Sequence, residues 1–360
     1  MVWLLDRSEV LVQPSTTRRR MSPIGLSVTR SPRLSQTRME PSPSKSGRYP
    51  VHRNMMSNDE KPAGPPPSGR PRSVPVRSAL SAALAGCVVA LALPWSHVAI
   101  ADAAPDSAIR YVALGDSRAT GSPHDPLSIR DGCFRTSDAY PQIVADTLGA
   151  ASYVSRACAG AKTENITNTP QFTITGAQPP QIGALQPDTT LVTVSIGGND
   201  IAWSSLVEPC YTFVPGLDAN CRSDATTARR MNDALTVLGP KVSATLAAIT
   251  GKSPAATVLV VGHGGIFGDR GCWPYIPTSD ADAAFVVQFF VKMNDVLADA
   301  ARRNGAYFVD VAAAAVGHDA CAGSDRRWFE GLVPRSFTMP LHPTHEGLRA
   351  MASLVVAARP

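Results

Sequence analysis

The chain has 360 residues, of which 44% are hydrophobic and 18% are charged, as in ordinary globular proteins. Its formal net charge of +5 is uneven: residues 1–77 hold 14 Lys/Arg against 5 Asp/Glu, a net charge of +9, which leaves −4 for residues 78–360. The basic excess therefore belongs to the N-terminal segment, and this excludes a nucleic-acid-binding surface on the rest of the chain.

The first hundred residues have the composition of a tail and an export signal. Residues 1–77 are rich in Arg, Ser and Pro without apolar periodicity, so we expect them to be disordered. Residues 78–103 have the layout of a secretory signal peptide, with a basic flank, an apolar run and a small-residue cleavage site near Ala101 or Ala103. The apolar run of about 16 residues is shorter than the roughly 20 that a membrane-spanning helix needs.

Two alternatives concern this signal. Export signals normally stand at the very N-terminus, so a start at Met55 or Met56 would make residues 1–54 an artefact of start-site assignment. The run Leu84-Ala85-Gly86-Cys87 is also similar to a lipobox, which would make Cys87 a lipid-anchored N-terminus. Because the apolar run continues past Cys87, we expect ordinary cleavage and a secreted protein.

Six cysteines follow the signal. An even number in an exported chain is typical of disulfide bonds, and six cysteines allow fifteen pairings. The absence of any Cys-x-x-Cys pair in the sequence argues against a metal site. The simplest pairing is sequential: Cys133–Cys158, Cys210–Cys221 and Cys272–Cys321.

From residue 107 onward, strand-like segments alternate with helical ones. The predicted strands are IRYVALG (109–115), ASYVSRA (151–157), LVTVSIG (191–197), ATVLVVG (256–262) and AYFVDVA (306–312). The predicted helices are Tyr140–Leu148, Thr226–Thr250, Ala281–Asn304 and Thr344–Ala358. Continuously apolar strands are buried on both faces, so the pattern predicts an α/β fold with a parallel sheet covered by helices. One such series indicates one domain, residues 104–360.

Polar residues follow three of the predicted strands. Ser117 lies just after the first, Gly160 after the second, and Asn199 with Asp200 after the third. The carboxyl ends of parallel strands meet at one edge of a sheet, where α/β proteins carry their reactive groups. Near the C-terminus His342 stands in a proline-bracketed loop, and a histidine can act as the base that activates a serine.

These four segments, in this order, resemble the four blocks of the SGNH (GDSL-type) hydrolases. The blocks are GDS at 115–117, Gly160 in CAGA, GGND at 197–200 and HP at 342–343, and the resemblance extends over about residues 107–356. Within that family the chain is most similar to secreted actinobacterial esterases and lipases with three disulfides. The resemblance implies a three-layer α/β/α fold with a mainly parallel central sheet.

The resemblance also implies roles for site residues. Ser117 would be the nucleophile and His342 the base. The oxyanion donors would be the backbone N–H groups of Ser117 and Gly160 and the side-chain amide of Asn199. Such donors stabilise the tetrahedral oxyanion of acyl transfer. Asp116 and Asp200 are expected to orient the turns rather than to react.

The sequence departs from the family pattern at two positions. Met339 stands where an acidic residue often orients the histidine, so we expect the main-chain carbonyl of Met339 to accept from the ring of His342. Arg118 follows the serine where Leu or Tyr is more usual, and we expect this difference to affect the substrate pocket more than the chemistry. His345 is a rival candidate for the base, although it stands at the start of the last helix.

The function predicted from these residues is that of a secreted serine esterase or lipase working through an acyl-enzyme and a Ser-His dyad. Its substrate would be a lipid, aryl or acylated-glycan ester. The alternatives are a glycan O-acetyl or acyl esterase of the same fold and a non-catalytic cell-wall-binding module. The sequence has no Gly-x-Ser-x-Gly, which excludes a cutinase-like enzyme. We expect no cofactor, no metal, no obligate protein partner and a monomer.

Overall fold

The computed structural model describes residues 108–121 and 131–360. The expected disordered segment 1–77, the expected signal peptide 78–103 and the alternative lipid-anchor residue Cys87 lie outside these residues. The hydrogen bonds, burial and topology given below refer to the described part of the chain.

Five parallel strands form the central sheet in the order β2-β1-β5-β6-β7. The strands are β1 Arg110–Gly115, β2 Ser152–Ser155, β5 Leu191–Ser195, β6 Thr257–Val261 and β7 Tyr307–Val309. All of β5 and most of β1 and β6 are buried. The predicted α/β fold with a parallel sheet is therefore confirmed. A hairpin of β3 (Gln171–Thr173) and β4 (Gly176–Gln178) was not predicted.

Within the described residues, seven α-helices accompany the strands. They are α1 Tyr140–Leu148, α2 Thr163–Thr167, α3 Trp203–Val207, α4 Ala225–Lys252, α5 Asp280–Arg303, α6 Val311–Ala314 and α7 His345–Ala357. The three longest begin at side-chain caps, with Asp224, Ser279 and Thr344 accepting from backbone N–H groups of the first turn. The four helices predicted from the sequence are α1, α4, α5 and α7.

The strand order places the helices on both faces of the sheet. The chain moves from β1 outward to β2, returns past β1 to β5, and then continues in the opposite direction through β6 to β7. Because crossovers are right-handed, α1 covers one face and α4 and α5 cover the other. Helix α7 packs on α1, and α4 packs on α5. The direction of winding reverses between β1 and β5, and α/β proteins bind ligands at such a point.

Helix α4 is the one helix in the described ranges that is long and apolar enough to cross a membrane. Its apolar side is nevertheless part of the protein core. The buried residues include Leu235, Leu238, Val242, Leu246 and Ile249. This burial is typical of a core helix in an α/β domain.

Three disulfides are present, and they join Cys133 to Cys158, Cys210 to Cys221 and Cys272 to Cys321. This is the sequential pairing. Each of the six cysteines lies in a connection that begins at the carboxyl end of a strand of the sheet and leads to α1, α2, α4, α5 or α7. The disulfides therefore fasten the loops at the edge of the sheet where the candidate site lies.

Candidate active site

Ser117 stands on a tight turn at the end of β1. Gly115 has a φ of +142°, and a Cβ at this position would lie 2.5 Å from the carbonyl oxygen of Ser195, so no side chain fits between β1 and β5. The buried carboxyl of Asp116 accepts from the backbone N–H of Arg118 at 3.0 Å and caps a short 3₁₀ helix, Ser117–Ala119. This geometry leaves the Ser117 side chain half-buried at the carboxyl edge of the sheet.

The side chains of Ser117 and His342, 225 residues apart, are in hydrogen-bond contact. The distance from Ser117 Oγ to His342 Nε2 is 2.7 Å. The other ring nitrogen, Nδ1, lies 2.7 Å from the carbonyl oxygen of Pro340. Because a carbonyl oxygen can only accept, Nδ1 carries the proton and Nε2 is free to accept from the serine hydroxyl.

The expectation that the carbonyl of Met339 accepts from the ring of His342 is wrong. The carbonyl that does so belongs to Pro340, and that of Met339 accepts from the backbone N–H of His342 at 3.3 Å. The reason is the left-handed backbone of Leu341, with a φ of +63°, which turns the chain tightly just before the histidine. No ion pair joins His342 to a carboxylate within residues 108–121 and 131–360.

A short antiparallel bridge holds the histidine loop. Phe329 pairs with Pro343, the N–H of Glu330 donates to the carbonyl of His342 at 2.9 Å, and the N–H of Leu341 donates to the carbonyl of Gly331 at 3.0 Å. The backbone of His342 is thus fixed on both sides by residues 329–331. This segment is part of RWFEGLVP, residues 327–334, and the sequence alone did not reveal that it holds the histidine loop.

The carboxyl of Glu330 organises that segment from within. It is fully buried and accepts from Arg327 Nη2 at 2.9 Å, from the backbone N–H of Arg335 at 2.9 Å and from Ser336 Oγ at 2.7 Å. Burial alone would raise the pKa of Glu330, but these hydrogen bonds outweigh it and hold the pKa below its ordinary value. Glu330 is therefore an ionised structural anchor beneath the histidine loop.

The surroundings of His342 favour its neutral form. Its pKa is lowered from 6.5 to about 4, mainly by burial and to a smaller extent by the positive charge of Arg118, while the hydrogen bond to Pro340 acts in the opposite direction. A neutral imidazole with its proton on Nδ1 is the form that can take a proton from a hydroxyl group. The ring is therefore in the state required of a base at neutral pH.

Gly160 and Asn199 lie on neighbouring turns at the same edge. Gly160 has a φ of +83°, and no hydrogen bond of the described residues uses its backbone N–H or that of Ser117. The side-chain amide of Asn199 donates to the carbonyl of Ala161 at 3.0 Å, which fixes the amide beside the Gly160 turn. An amide nitrogen has two protons, so one remains free to donate to a ligand.

The other polar candidates have structural partners. Asp200 accepts from the backbone N–H of Thr163 at 3.0 Å and from its hydroxyl at 2.5 Å, and so anchors the start of α2. His345 has Nδ1 3.3 Å from the carboxyl of Asp138 and makes no contact with Ser117. The rival base is therefore not in position to activate the serine.

Arg118 is buried and does not line an open pocket. Its side chain lies beneath the nucleophile turn with Asp116 and with His263, whose Nε2 is 3.8 Å from the Asp116 carboxyl. Burial raises the pKa of Asp116 to about 7 and lowers the pKa of Arg118 to about 10 and that of His263 to about 3. Sequence reasoning missed this cluster, because Arg and Asp are rarely buried.

A cavity of about 860 Å³ lies elsewhere, between α5 and α6. Its lining includes Phe267, Val287, Val291 and Ala312 but neither Ser117 nor His342. In the described part of the chain no group of three His, Cys, Asp or Glu side chains could hold a metal ion.

Comparisons with known proteins show which family the chain belongs to. Residues 113–350 match the model of the GDSL-like lipase/acylhydrolase family. Among curated proteins, Lipase 2 of Streptomyces coelicolor is 31% identical over 288 residues, covering 77% of this chain and 94% of that protein. Lipase 1 of the same organism is 30% identical over 266 residues, covering 73% of this chain and 92% of that protein.

Two solved structures share the fold. Phospholipase A1 from Streptomyces albidoflavus NA297 has a TM-score of 0.56 and 27% identity, covering 70% of this chain and 98% of that one. The extracellular lipase from Streptomyces rimosus also has a TM-score of 0.56, with 25% identity, covering 70% of this chain and 100% of that one.

Proposed function

The chain belongs to the GDSL-like lipase/acylhydrolase family and is a carboxylic ester hydrolase, and from this premise we propose that Ser117 and His342 are its catalytic dyad. The observation that supports this assignment is the 2.7 Å contact between Ser117 Oγ and His342 Nε2. Nucleophile and base must be within hydrogen-bond reach of each other, and this pair is.

The reaction proceeds in two acyl transfers. Ser117 Oγ attacks the ester carbonyl carbon while His342 Nε2 takes the hydroxyl proton, giving a tetrahedral oxyanion. The carbon–oxygen bond to the leaving group breaks, the alcohol receives the proton from His342, and the acyl group stays on Ser117. Water then attacks this acyl-enzyme with His342 again as base, which releases the carboxylic acid and restores the serine.

The carbonyl of Pro340 takes the place of a triad carboxylate. It keeps the proton on His342 Nδ1 and orients the ring, as an acidic residue does in a triad. A carbonyl has no full charge, so it stabilises the imidazolium less than a carboxylate would. The free N–H groups of Ser117, Gly160 and Asn199 supply the oxyanion hole, where each donor typically lowers the barrier by about 3 kcal/mol.

Export and an extracellular lipid ester fit the remaining observations. Three disulfides are typical of proteins that fold in an oxidising compartment. The relatives reported above are lipases and a phospholipase A1, which favours a lipid ester over the acyl group of a glycan as the substrate. The contact between Ser117 and His342 argues against a module that only binds cell wall or carbohydrate.

Activity and covalent labelling test the dyad together. The purified protein should hydrolyse aryl esters of increasing acyl length and release fatty acid from lipid esters faster than acetate from acetylated sugars. An alkyl fluorophosphonate should add its mass to the peptide that contains Ser117. Ser117→Ala should lower the rate by about four orders of magnitude or more. Ser205→Ala, an exposed serine on α3, is the matched control and should retain full activity.

Two outcomes would contradict the proposal. A Ser117→Ala variant that keeps a tenth of the wild-type rate would remove Ser117 from the chemistry. Faster release of acetate from acetylated sugars than of fatty acid from lipid esters would favour the glycan esterase instead, while leaving the dyad intact.

A further inference from the structure

Arg118 occupies an unusual environment for a cation. Its side chain is 5% exposed, and in the described part of the chain no carboxylate forms an ion pair with it. Burying a charge is costly, and the charge of Asp116 offsets only part of that cost, since burial still lowers the pKa of Arg118 to about 10. The rest of the cost of burial is offset by the contacts that the guanidinium makes.

The guanidinium contacts two separate segments. On one side Nη2 donates to the carbonyl of Gly262 at 3.3 Å and Nη1 donates to the carbonyl of Gly264 at 3.4 Å, just beyond the end of β6. On the other side the cation lies over the ring of Phe329, 5.1 Å from its centroid. A positive charge over the face of an aromatic ring is attracted by the electrons of that face.

Phe329 contacts Arg118 on one side and the loop of His342 on the other. It forms the antiparallel bridge with Pro343, which immediately follows His342, and it is fully buried. Gly265 packs closely against the ring, since a Cβ at this position would lie 2.6 Å from Cε2 of Phe329. The side chain next to the nucleophile in sequence thus packs on the residue that pairs with the histidine loop.

We propose that Arg118 is a positioning residue that locks the turn of Ser117 to the loop of His342 through the carbonyls of Gly262 and Gly264 and the ring of Phe329. The proposal rests on the dyad described above. Since the two members of the dyad come from opposite ends of the domain, a direct link between their supporting segments limits errors in the distance between oxygen and nitrogen. A displacement of about 1 Å costs roughly a hundredfold in rate in well-studied enzymes.

The charge of Arg118 also acts on the base. The titratable groups that face it are Asp116, Tyr140, His263 and His342, and the cation lowers the pKa of both histidines. A fixed positive charge disfavours the imidazolium, so removing it should raise the pH below which His342 becomes protonated. Substitutions can therefore distinguish the positioning contacts of Arg118 from the effect of its charge on the pKa of His342.

Three variants distinguish the positioning contacts from the effect of the charge. Arg118→Met keeps the length of the side chain but loses the charge and the hydrogen bonds. Arg118→Lys keeps the charge but loses the planar fork, and Phe329→Leu keeps Arg118 but removes the ring. The matched control is Arg110→Met, at the opposite end of β1, where the arginine pairs with Asp188 at the surface. For each, kcat and KM for a small soluble ester are measured against pH, together with the melting temperature.

We expect kcat to fall about 10- to 100-fold in Arg118→Met, Arg118→Lys and Phe329→Leu, with KM within about twofold of the wild type. The acid limb of kcat/KM should move upward by about 0.5 pH unit or more in Arg118→Met alone. The shift of the acid limb is the effect that a purely structural role would not produce. Arg110→Met should match the wild type in all three measurements.

The proposal is overturned if Arg118→Met is folded and has the kcat and the acid limb of the wild type. Should Arg118→Met fail to fold, wild-type kcat in both Arg118→Lys and Phe329→Leu would overturn it equally. Loss of activity in Ser117→Ala combined with full activity in these variants would reject the positioning role alone. Retained activity in Ser117→Ala would reject the dyad itself.

Discussion

Lowering the pH from about 7 to 5 should leave the kcat/KM of this enzyme for a soluble ester almost unchanged. Burial of His342 and the nearby charge of Arg118 lower the pKa of the histidine to about 4. At pH 5 a base with that pKa is about 90% neutral, whereas a histidine with the ordinary pKa of about 6.5 would be about 3% neutral. The two cases differ about 30-fold in the fraction of active base.

The assay is a pH profile of kcat/KM between about pH 3.5 and 8 on a short-chain ester, with the released acid quantified by chromatography so that detection does not depend on pH. Because kcat/KM reports the free enzyme, its acid limb gives the pKa of the uncomplexed base. Circular dichroism at each pH shows whether a loss of rate is a loss of fold. His345→Ala is the control, since this exposed histidine contacts Asp138 and not the serine.

An acid limb with its midpoint at pH 6.5 in a folded enzyme would refute the reasoning. It would mean that water reaches the ring freely or that a carboxylate stabilises the imidazolium. A midpoint near pH 4 that is the same in the wild type and in His345→Ala would assign the limb to His342.

Three further changes test the site. His342→Ala should lower kcat about as much as Ser117→Ala does, because the two residues act as a unit. Met339→Ala should have a mild effect, because the carbonyl that accepts from the His342 ring belongs to Pro340. Steady-state kinetics of the purified variants measure both effects. Asn199→Ala should lower kcat about 10²- to 10³-fold with little change in KM. A higher KM with unchanged kcat would exclude an oxyanion role. Phe337→Ser, at a side chain that is 90% exposed three residues before Pro340, should lower hydrolysis of emulsified lipid severalfold but not that of a soluble ester; equal effects on both substrates would argue against contact with a lipid surface.

The strands and long helices could be predicted because their apolar patterns are strong. The strand β5 is buried at all five positions and is rich in β-branched residues, and α1 has the predicted bounds Tyr140–Leu148. The β3–β4 hairpin could not be predicted in the same way. Its strands have three residues each, and Phe172 is 84% exposed, so no alternation between a buried and an exposed face marks it.

Two details of the candidate site depend on geometry that the sequence does not encode locally. The carbonyl that orients His342 is set by the positive φ of Leu341, a conformation rare for a branched residue and unreadable from its identity. The burial of Arg118 depends on Phe329 and Gly264, which are distant in sequence. Short motifs predicted which residue types gather at the sheet edge, while the supporting contacts arise only from the folded chain.

The disulfides hold the loops at the carboxyl edge of the sheet and do not link the buried strands themselves. All six cysteines lie in segments that leave the carboxyl ends of strands, and within the described ranges none crosslinks the opposite edge. A chain whose thiols are still reduced can form the apolar centre of the sheet, but its loops lack the covalent ties that hold the Gly160 turn near Cys158. Reduction of the disulfides should therefore disturb the loops around Ser117 and His342 before it unfolds the buried strands.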